Sequence, residues 1–474
     1  MSRRNKIQGV IGLAVLGGVI GSGAVQASGY ANPSYGATGW GRAFGGGSLF
    51  KNDPSSAYHN PGAMAFIDQN VAQLSVDYAR VKLKFKGDVT DYQGLPASST
   101  PIDANGIPGT AVPLTGDGGE GGSAAWQSTG FLVMPINERF AFGLGQVNPL
   151  GLHSGWDAGW KGRDFAVDTT VESTGLTGSL SFKVRDDFSI GAGLIVQRSR
   201  GFVSQNLNVT GALGSALLPG VASGLSANLL RVKVDNTSVG WFAGMTWKPT
   251  EQDTLGLNYH AKIRNKMEGK YNIRADETGT KYMTLPVGPN GESLLELIYP
   301  GLKLYPGGAD ASTRLDIPAS AGLDWVHVFN DRLSLGASLL WTQWSSFKDL
   351  TLKSEGNSLF VVPYDFRDTL MYSLGGDYRL TEQLTLRGGV AFDETPTRNS
   401  TRDPRFPDSD RWIASLGFGY DFRAIPGLTI DGAYSRQFIK EARIDAHDDF
   451  AGSSMKGKVD SKGEVASLSA TYRF

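Results

Sequence analysis

The chain ends on VASLSATYRF, and its alternate residues separate into two sets. Ala466, Leu468, Ala470, Tyr472 and Phe474 form an oily row. Val465, Ser467, Ser469, Thr471 and Arg473 form a mostly polar one. A period of two is the signature of a strand with two unlike faces. The pattern recurs at Phe188–Val196, Val239–Trp247, Leu333–Trp341 and Trp412–Phe422, with aromatic residues near the strand ends. Short polar turns follow one strand of each pair, at 136–139, 185–187, 249–253, 330–332, 381–383 and 424–427. Long connections follow the other, at roughly 87–124, 151–170, 202–233, 270–312, 348–366, 394–408 and 444–458. Six short turns and seven long loops join fourteen strands. Loops sorted by length onto two ends, with an oily face between, are the pattern of an outer-membrane barrel. A sheet edge left open in lipid costs several kcal/mol per unsatisfied group, so the sheet closes. The expectation is an all-β, 14-stranded antiparallel transmembrane barrel over residues 70–474, monomeric, with both termini on the short-turn, periplasmic side.

Composition narrows the rest. Forty-five basic residues balance 46 acidic ones, which gives no footing for a nucleic-acid binder. There is no cysteine, hence no disulfide and no thiolate metal site. The five histidines are scattered, without HExxH spacing, and no G-x-S-x-G elbow occurs. We expect no cofactor, no metal, no catalytic residue and no enzymatic activity. Residues 1–27 read as a signal peptide: Arg3, Arg4 and Lys6, then an apolar, glycine-rich run, then a small-x-small cleavage site ending at Ala27. The uncharged stretch 211–230 contains Pro219 and is too broken to span a bilayer, so it reads as a loop helix.

Between residue 28 and about residue 69 the alternation is absent. Fourteen strands enclose a lumen wider than side chains fill, so this segment is expected to plug it as an N-terminal hatch. Its residues resemble the hatch of the FadL-type outer-membrane transporters of long-chain fatty acids and related hydrophobic compounds. Ser28-Gly29-Tyr30 begins the motif, Thr38-Gly39-Trp40-Gly41-Arg42-Ala43 continues it with Thr in place of Ser, and Asn60-Pro61-Gly62 closes it with Gly in place of Ala. The likeness resumes at VMPINERFAFG (133–143), TQWSSF (342–347) and GVAFDETPT with FPDSDRW (389–412), and so spans the mature chain.

The resemblance implies passive uptake: capture in an outer groove, passage to a lumenal pocket, and lateral exit where a strand kinks. The barrel assembly machinery would read the terminal Phe474, and outer-membrane lipid and lipopolysaccharide would surround the wall. The kink falls at Asn148, Pro149 and Gly151, where proline withholds a ladder donor and glycine weakens the strand. Apolar loop residues suggest the groove: Leu213, Leu217, Leu218, Val221 and Leu225 in one loop, and Leu294, Leu297, Ile298 and Leu302 in another. The pocket would hold Tyr30. At the family's two carboxylate-binding positions this chain carries Gln205 and Thr351, neither charged. A buried carboxylate without a counter-charge is costly, so neutral hydrocarbons or aromatic compounds stand beside fatty acids as ligands, and export of fatty-acid derivatives remains an alternative direction. A lipid-modifying enzyme fits less well. The run RDPRFPDSD (402–410) reads as a solvated loop.

Overall fold

A computed structural model describes residues 29–33, 35–99, 110, 112–216, 228–275, 277–304, 307–449 and 451–474. The signal-peptide reading, and Leu217, Leu218, Val221 and Leu225, lie outside the described residues. Fourteen antiparallel strands close on themselves. They are β1 Val71–Thr90, β2 Ser123–Pro135, β3 Phe140–Val147 with Gly151–Gly155, β4 Asp168–Arg185, β5 Phe188–Asn206, β6 Asn228–Trp247 and β7 Asp253–His260 with Lys266–Ala275. The second half is β8 Ala309–Arg314 with Ser320–Val328, β9 Leu333–Thr342 with Asp349–Ser354, β10 Asn357–Pro363 with Thr369–Arg379, β11 Leu384–Asp393, β12 Arg411–Asp421, β13 Leu428–Ile439 with Ala442–His447, and β14 Ser454–Arg473. Each pairs with its chain neighbours, and β1 also pairs with β14 from Val71↔Arg473 to Thr90↔Ser454, which closes the barrel.

The alternation sets which face meets which medium. Leu416 is 71% exposed and Leu468 58%, while the intervening Ser415, Ser467 and Ser469 are buried toward the lumen. In water an exposed leucine forgoes about 1.5–3 kcal/mol of burial; a belt of such residues around the whole wall is covered by lipid instead. Strands rise well beyond that belt, and there the alternation inverts: the outer face turns charged, as at Lys82, Lys84 and Lys86, while Leu83 and Phe85 face inward. Consequently several loops are shorter than the sequence suggests. The stretch 348–366 is mostly the upper β9–β10 hairpin, whose two-residue turn Glu355-Gly356 has both φ values positive, at 48° and 84°.

Residues 29–33 and 35–69 fill the lumen. A helix α1 (Gly36–Gly41) packs on β12, β13 and β14, and a short helix α2 (Ser56–His59) leads into a 3-10 turn over Pro61–Phe66 that lies on β4, β5 and β6. The wall makes room with glycine. An added Cβ at Gly389 or Gly375 would stand 2.1 Å from the Arg42 carbonyl oxygen. Asn60 caps the 3-10 turn by accepting from Gly62 N at 3.1 Å, and its amide donates to Met245 O at 3.2 Å. Gly62 itself has no room for alanine: its Cβ would meet Met245 Cα at 2.9 Å. Two wall serines, Ser189 and Ser179, donate to Gly62 O and Ala57 O, each at 2.7 Å. Arg42 pairs with Asp53 at 3.0 Å and lies over the Phe50 ring at 3.8 Å, next to a wall network of Asp377, Arg387 and Asp431.

Candidate transport path

Above the hatch, side chains from β3 to β10 and from the long loops meet in one apolar cluster. Its inner cavity, about 40 Å³, is lined by Val171, Val203, Val232, Met267, Leu352 and Phe406 among others. The lining follows from strand parity. Leu350 and Leu352 of β9 point inward, which sends Thr351 to the outer face, where its hydroxyl meets Asp349. Thr351 is therefore not a pocket residue, a correction to the sequence reading.

Gln205, in contrast, lies on β5 two residues beyond the pocket-lining Val203, and it is not alone there. Its side-chain carbonyl accepts from Arg405 Nη2. Arg405 also bonds Asp403, whose carboxylate accepts from Tyr364 OH at 3.1 Å and from the Arg405 backbone N–H at 2.9 Å. The Arg405 and Asp403 side chains are only 4% and 6% exposed. Burial disfavours the guanidinium's charge, yet Asp403 outweighs it and holds Arg405 above its ordinary value. Arg405 Nε has no hydrogen-bond partner among the described residues. The run 402–410 is thus buried rather than solvated, and it delivers a cation that Arg198, Arg200 and Lys348, all exposed on the outer face, do not.

Tyr30 closes the pocket from below. Its ring packs edge-on against Trp344 and Phe347, with centroids at 4.6 and 5.6 Å, and lies 6.2 Å from Phe406. Its hydroxyl donates to Asp316 O at 2.8 Å, and burial, then Asp316, keeps it protonated. Beyond Trp344 lies a second cavity of about 180 Å³, lined by Asn32, Tyr35, Tyr58, Pro149, Ile195 and Ile263 among others. Small-molecule sites measure about 300–1,000 Å³. Even together the two cavities fall short of that range.

The second cavity reaches the strand break. β2 and β3 pair from Pro135↔Ala141 up to Gly130↔Gln146, and no further. At Asn148-Pro149-Leu150 the chain leaves the ladder, and Gly151 resumes pairing with β4 alone, one register step displaced. The hatch takes up the freed groups: Gly151 N donates to Tyr30 O at 3.0 Å, and Asn32 N to Pro149 O at 2.9 Å. Polar side chains bridge the gap. Asn148 Nδ2 donates to Ser128 O at 2.6 Å, and Asn32 Nδ2 to Gln127 Oε1 at 2.6 Å and to Asn148 O at 2.9 Å.

The outer loops show less of a groove than the sequence suggests. Strands β7 and β8 reach Ala275 and start again at Ala309; between them run helices α4 (Glu277–Met283) and α5 (Leu294–Ile298), after α3 (Val209–Ala216) of the previous loop. Leu294 and Leu302 are buried in the apolar cluster as a lid rather than presented to solvent, because α5 packs onto α3 and α4. Leu297 is 37% exposed. Leu213 and Ile298 sit on α3 and α5. Among the described residues no group of three or more His, Asp or Glu is placed to hold a metal ion.

A closed fourteen-stranded wall with an oily belt, a plugged lumen and an apolar pocket defines an outer-membrane transport barrel. The profile of the family described as outer membrane protein transport protein (OMPP1/FadL/TodX) matches residues 18–474. The chain belongs to that family: it is a non-enzymatic outer-membrane transporter of hydrophobic compounds. It is 56% identical to a Pseudomonas aeruginosa FadL homologue of known structure, covering 94% of this chain and all of that one, with a TM-score of 0.88. It is 23% identical to the long-chain fatty acid transport protein of Escherichia coli K12, over 89% of this chain and 90% of that one. The Pseudomonas putida toluene transporter TodX shares the fold alone, at 17% identity and a TM-score of 0.64, over 93% of this chain and 99% of that one.

Proposed function

We propose that this chain carries long-chain amphiphiles with an acid head group, fatty acids foremost, inward by diffusion. They enter at the long-loop end and leave sideways through the β2–β3 gap. Tyr30 carries the reading. Its ring shuts the pocket, and its carbonyl is bonded to Gly151 at the strand break, so a ligand that displaces the ring also loosens the gap. Leu297 offers the entering chain its first apolar contact. The acyl chain then lies among Val203, Val232, Met267 and Leu352, with the carboxylate at Arg405. No energy source is needed: each apolar step trades water for protein and then for lipid, and removal of ligand on the far side sets the direction. The names of the relatives support fatty acids, and Arg405 supports an acid over a neutral head.

The test is competition between a C16 acid and the C16 alcohol at neutral pH. We expect the acid to win by about tenfold or more, since hydrogen bonds to charged partners contribute about 1.5–3 kcal/mol against about 0.5–1.5 for neutral ones. Equal competition would move the substrate class to neutral hydrophobes.

A further inference from the structure

A second irregularity lies on the opposite side of the barrel wall. β8 and β9 pair from Val328↔Ser334 to Ser320↔Thr342, with one more bond from Gln343 N to Ala319 O at 2.8 Å. The chain then turns aside through a 3-10 turn at Trp344–Ser346, and a single pair, Ser312↔Lys353, rejoins the strands above. The interval opens on the outer face as a polar cleft of about 490 Å³. Lys262, Lys266, Arg314, Lys348 and Lys353 line it, against Asp316 and Asp349.

Three observations point to an anion there. Lys266 and Arg314 stand directly opposite each other in the β7–β8 ladder, and like charges in that relation repel. Asp316 is already engaged by Arg314 at 2.6 Å and Lys262 at 3.1 Å, and Lys353 has no carboxylate partner among the described residues. The remaining pairs are weak, exposed ones: Lys266 meets Glu268 at 2.6 Å with its side chain 73% exposed, and Lys348 meets Asp365 at 2.7 Å, and such pairs contribute about 0–1 kcal/mol. The height fits a lipid head group. Tyr259 is the last outward aromatic of the oily belt on β7, and Lys262 and Lys266 follow it by three and seven residues, about 10 and 23 Å along a strand. Acyl chains pack against the belt below, and the cleft begins where their head groups must lie.

We propose that this cleft binds a phosphate of the glycolipid that forms the outer leaflet. A phosphomonoester brings about −1.5 to −2 charge and three acceptor oxygens, which suits several converging ammonium groups and one guanidinium fork. The bound lipid spans the stretch where β8 and β9 lack ladder bonds and seals it. Leu350 and Leu352 stand between the polar cleft and the apolar pocket, and the two meet through Asp316 and Phe347, which line the cleft and touch Tyr30.

The test is native mass spectrometry of the full-length protein in detergent with added bis-phosphorylated lipid A. Parallel samples carry enzymatically dephosphorylated lipid A, or inorganic phosphate alone. The variant is Lys266→Gln with Lys353→Gln, which leaves the Arg314–Asp316 pair in place; the control is Lys82→Gln with Lys84→Gln, on the outward cationic row of β1. Heat-modified gel mobility verifies that both barrels fold. The proposal predicts that the cleft variant lowers lipid A occupancy by about tenfold, the control by less than about twofold, and that dephosphorylated lipid is not retained. Equal loss in both variants would mean general charge attraction and overturn it. So would retention of dephosphorylated lipid, or occupancy of the cleft by inorganic phosphate with no retention of lipid A.

Discussion

Replacing Arg405 alone would be a poor experiment. Its side chain and that of Asp403 are both buried, and removing one partner of a buried pair costs about 3–5 kcal/mol because the other charge is stranded. The informative variant is Arg405→Met with Asp403→Asn, which deletes both charges, keeps the volume near constant and leaves Tyr364 OH an oxygen to bond. If the acid head group sits on Arg405, the variant loses one charge-assisted hydrogen bond, about 1.5–3 kcal/mol. That corresponds to about a 10- to 150-fold drop in affinity for a C16 acid. The C16 alcohol should change by less than about threefold, since the apolar lining is untouched. Displacement of a fluorescent fatty acid from purified protein in detergent gives both values. Equal losses for acid and alcohol would mean that the variant damaged the pocket, and no loss for either would mean that the head group lies elsewhere; each refutes the role given to Arg405.

Other outcomes follow from the same geometry. Acid binding should hold from neutral to alkaline pH, because Asp403 keeps Arg405 charged above its ordinary range, and should fall as pH drops through the ligand carboxyl's own range near about 4–5; a pH series of the same displacement assay checks it. Arg42→Ala strands Asp53 and should loosen the hatch by about 3–5 kcal/mol, seen as faster proteolysis of residues 29–69 and higher leakage of small polar solutes through an intact barrel. Gly62→Ala should cost about 1–3 kcal/mol of hatch stability by overpacking against Met245, measurable as earlier hatch release in denaturant.

Much of this molecule was legible in its sequence, for physical reasons. Lipid outside and polar contacts inside impose a strict period of two, so Leu416 against Ser415 already tells out from in. The short turns count the strands. Proline and glycine at 149 and 151 mark a segment unable to hold a ladder. Above the belt water wets the outer face and the apolar clusters lie inside, so the alternation inverts and 348–366 reads as loop where a hairpin stands. Resemblance places Thr351 in the pocket against its own parity, since Leu350 and Leu352 bracket it with inward apolar side chains. Arg405 carried no local signal. Five charged residues in nine look solvated, and only the fold, which sets Arg405 against Gln205 200 positions away and its neighbour Phe406 in the pocket lining, brings that cation near the pocket.

Lateral exit through the β2–β3 gap is the central claim, and a lock on that gap tests it most directly. Continuing the register past Gly130↔Gln146 sets Ser128 opposite Asn148, and the chain has no cysteine of its own. The measurement is fatty-acid uptake by cells carrying Ser128→Cys with Asn148→Cys, oxidised and then reduced, with mass spectrometry confirming the disulfide. With lateral exit, the oxidised barrel binds ligand normally but loses most of its uptake, and reduction restores it. Undiminished uptake through a fully oxidised barrel would contradict lateral exit at this strand.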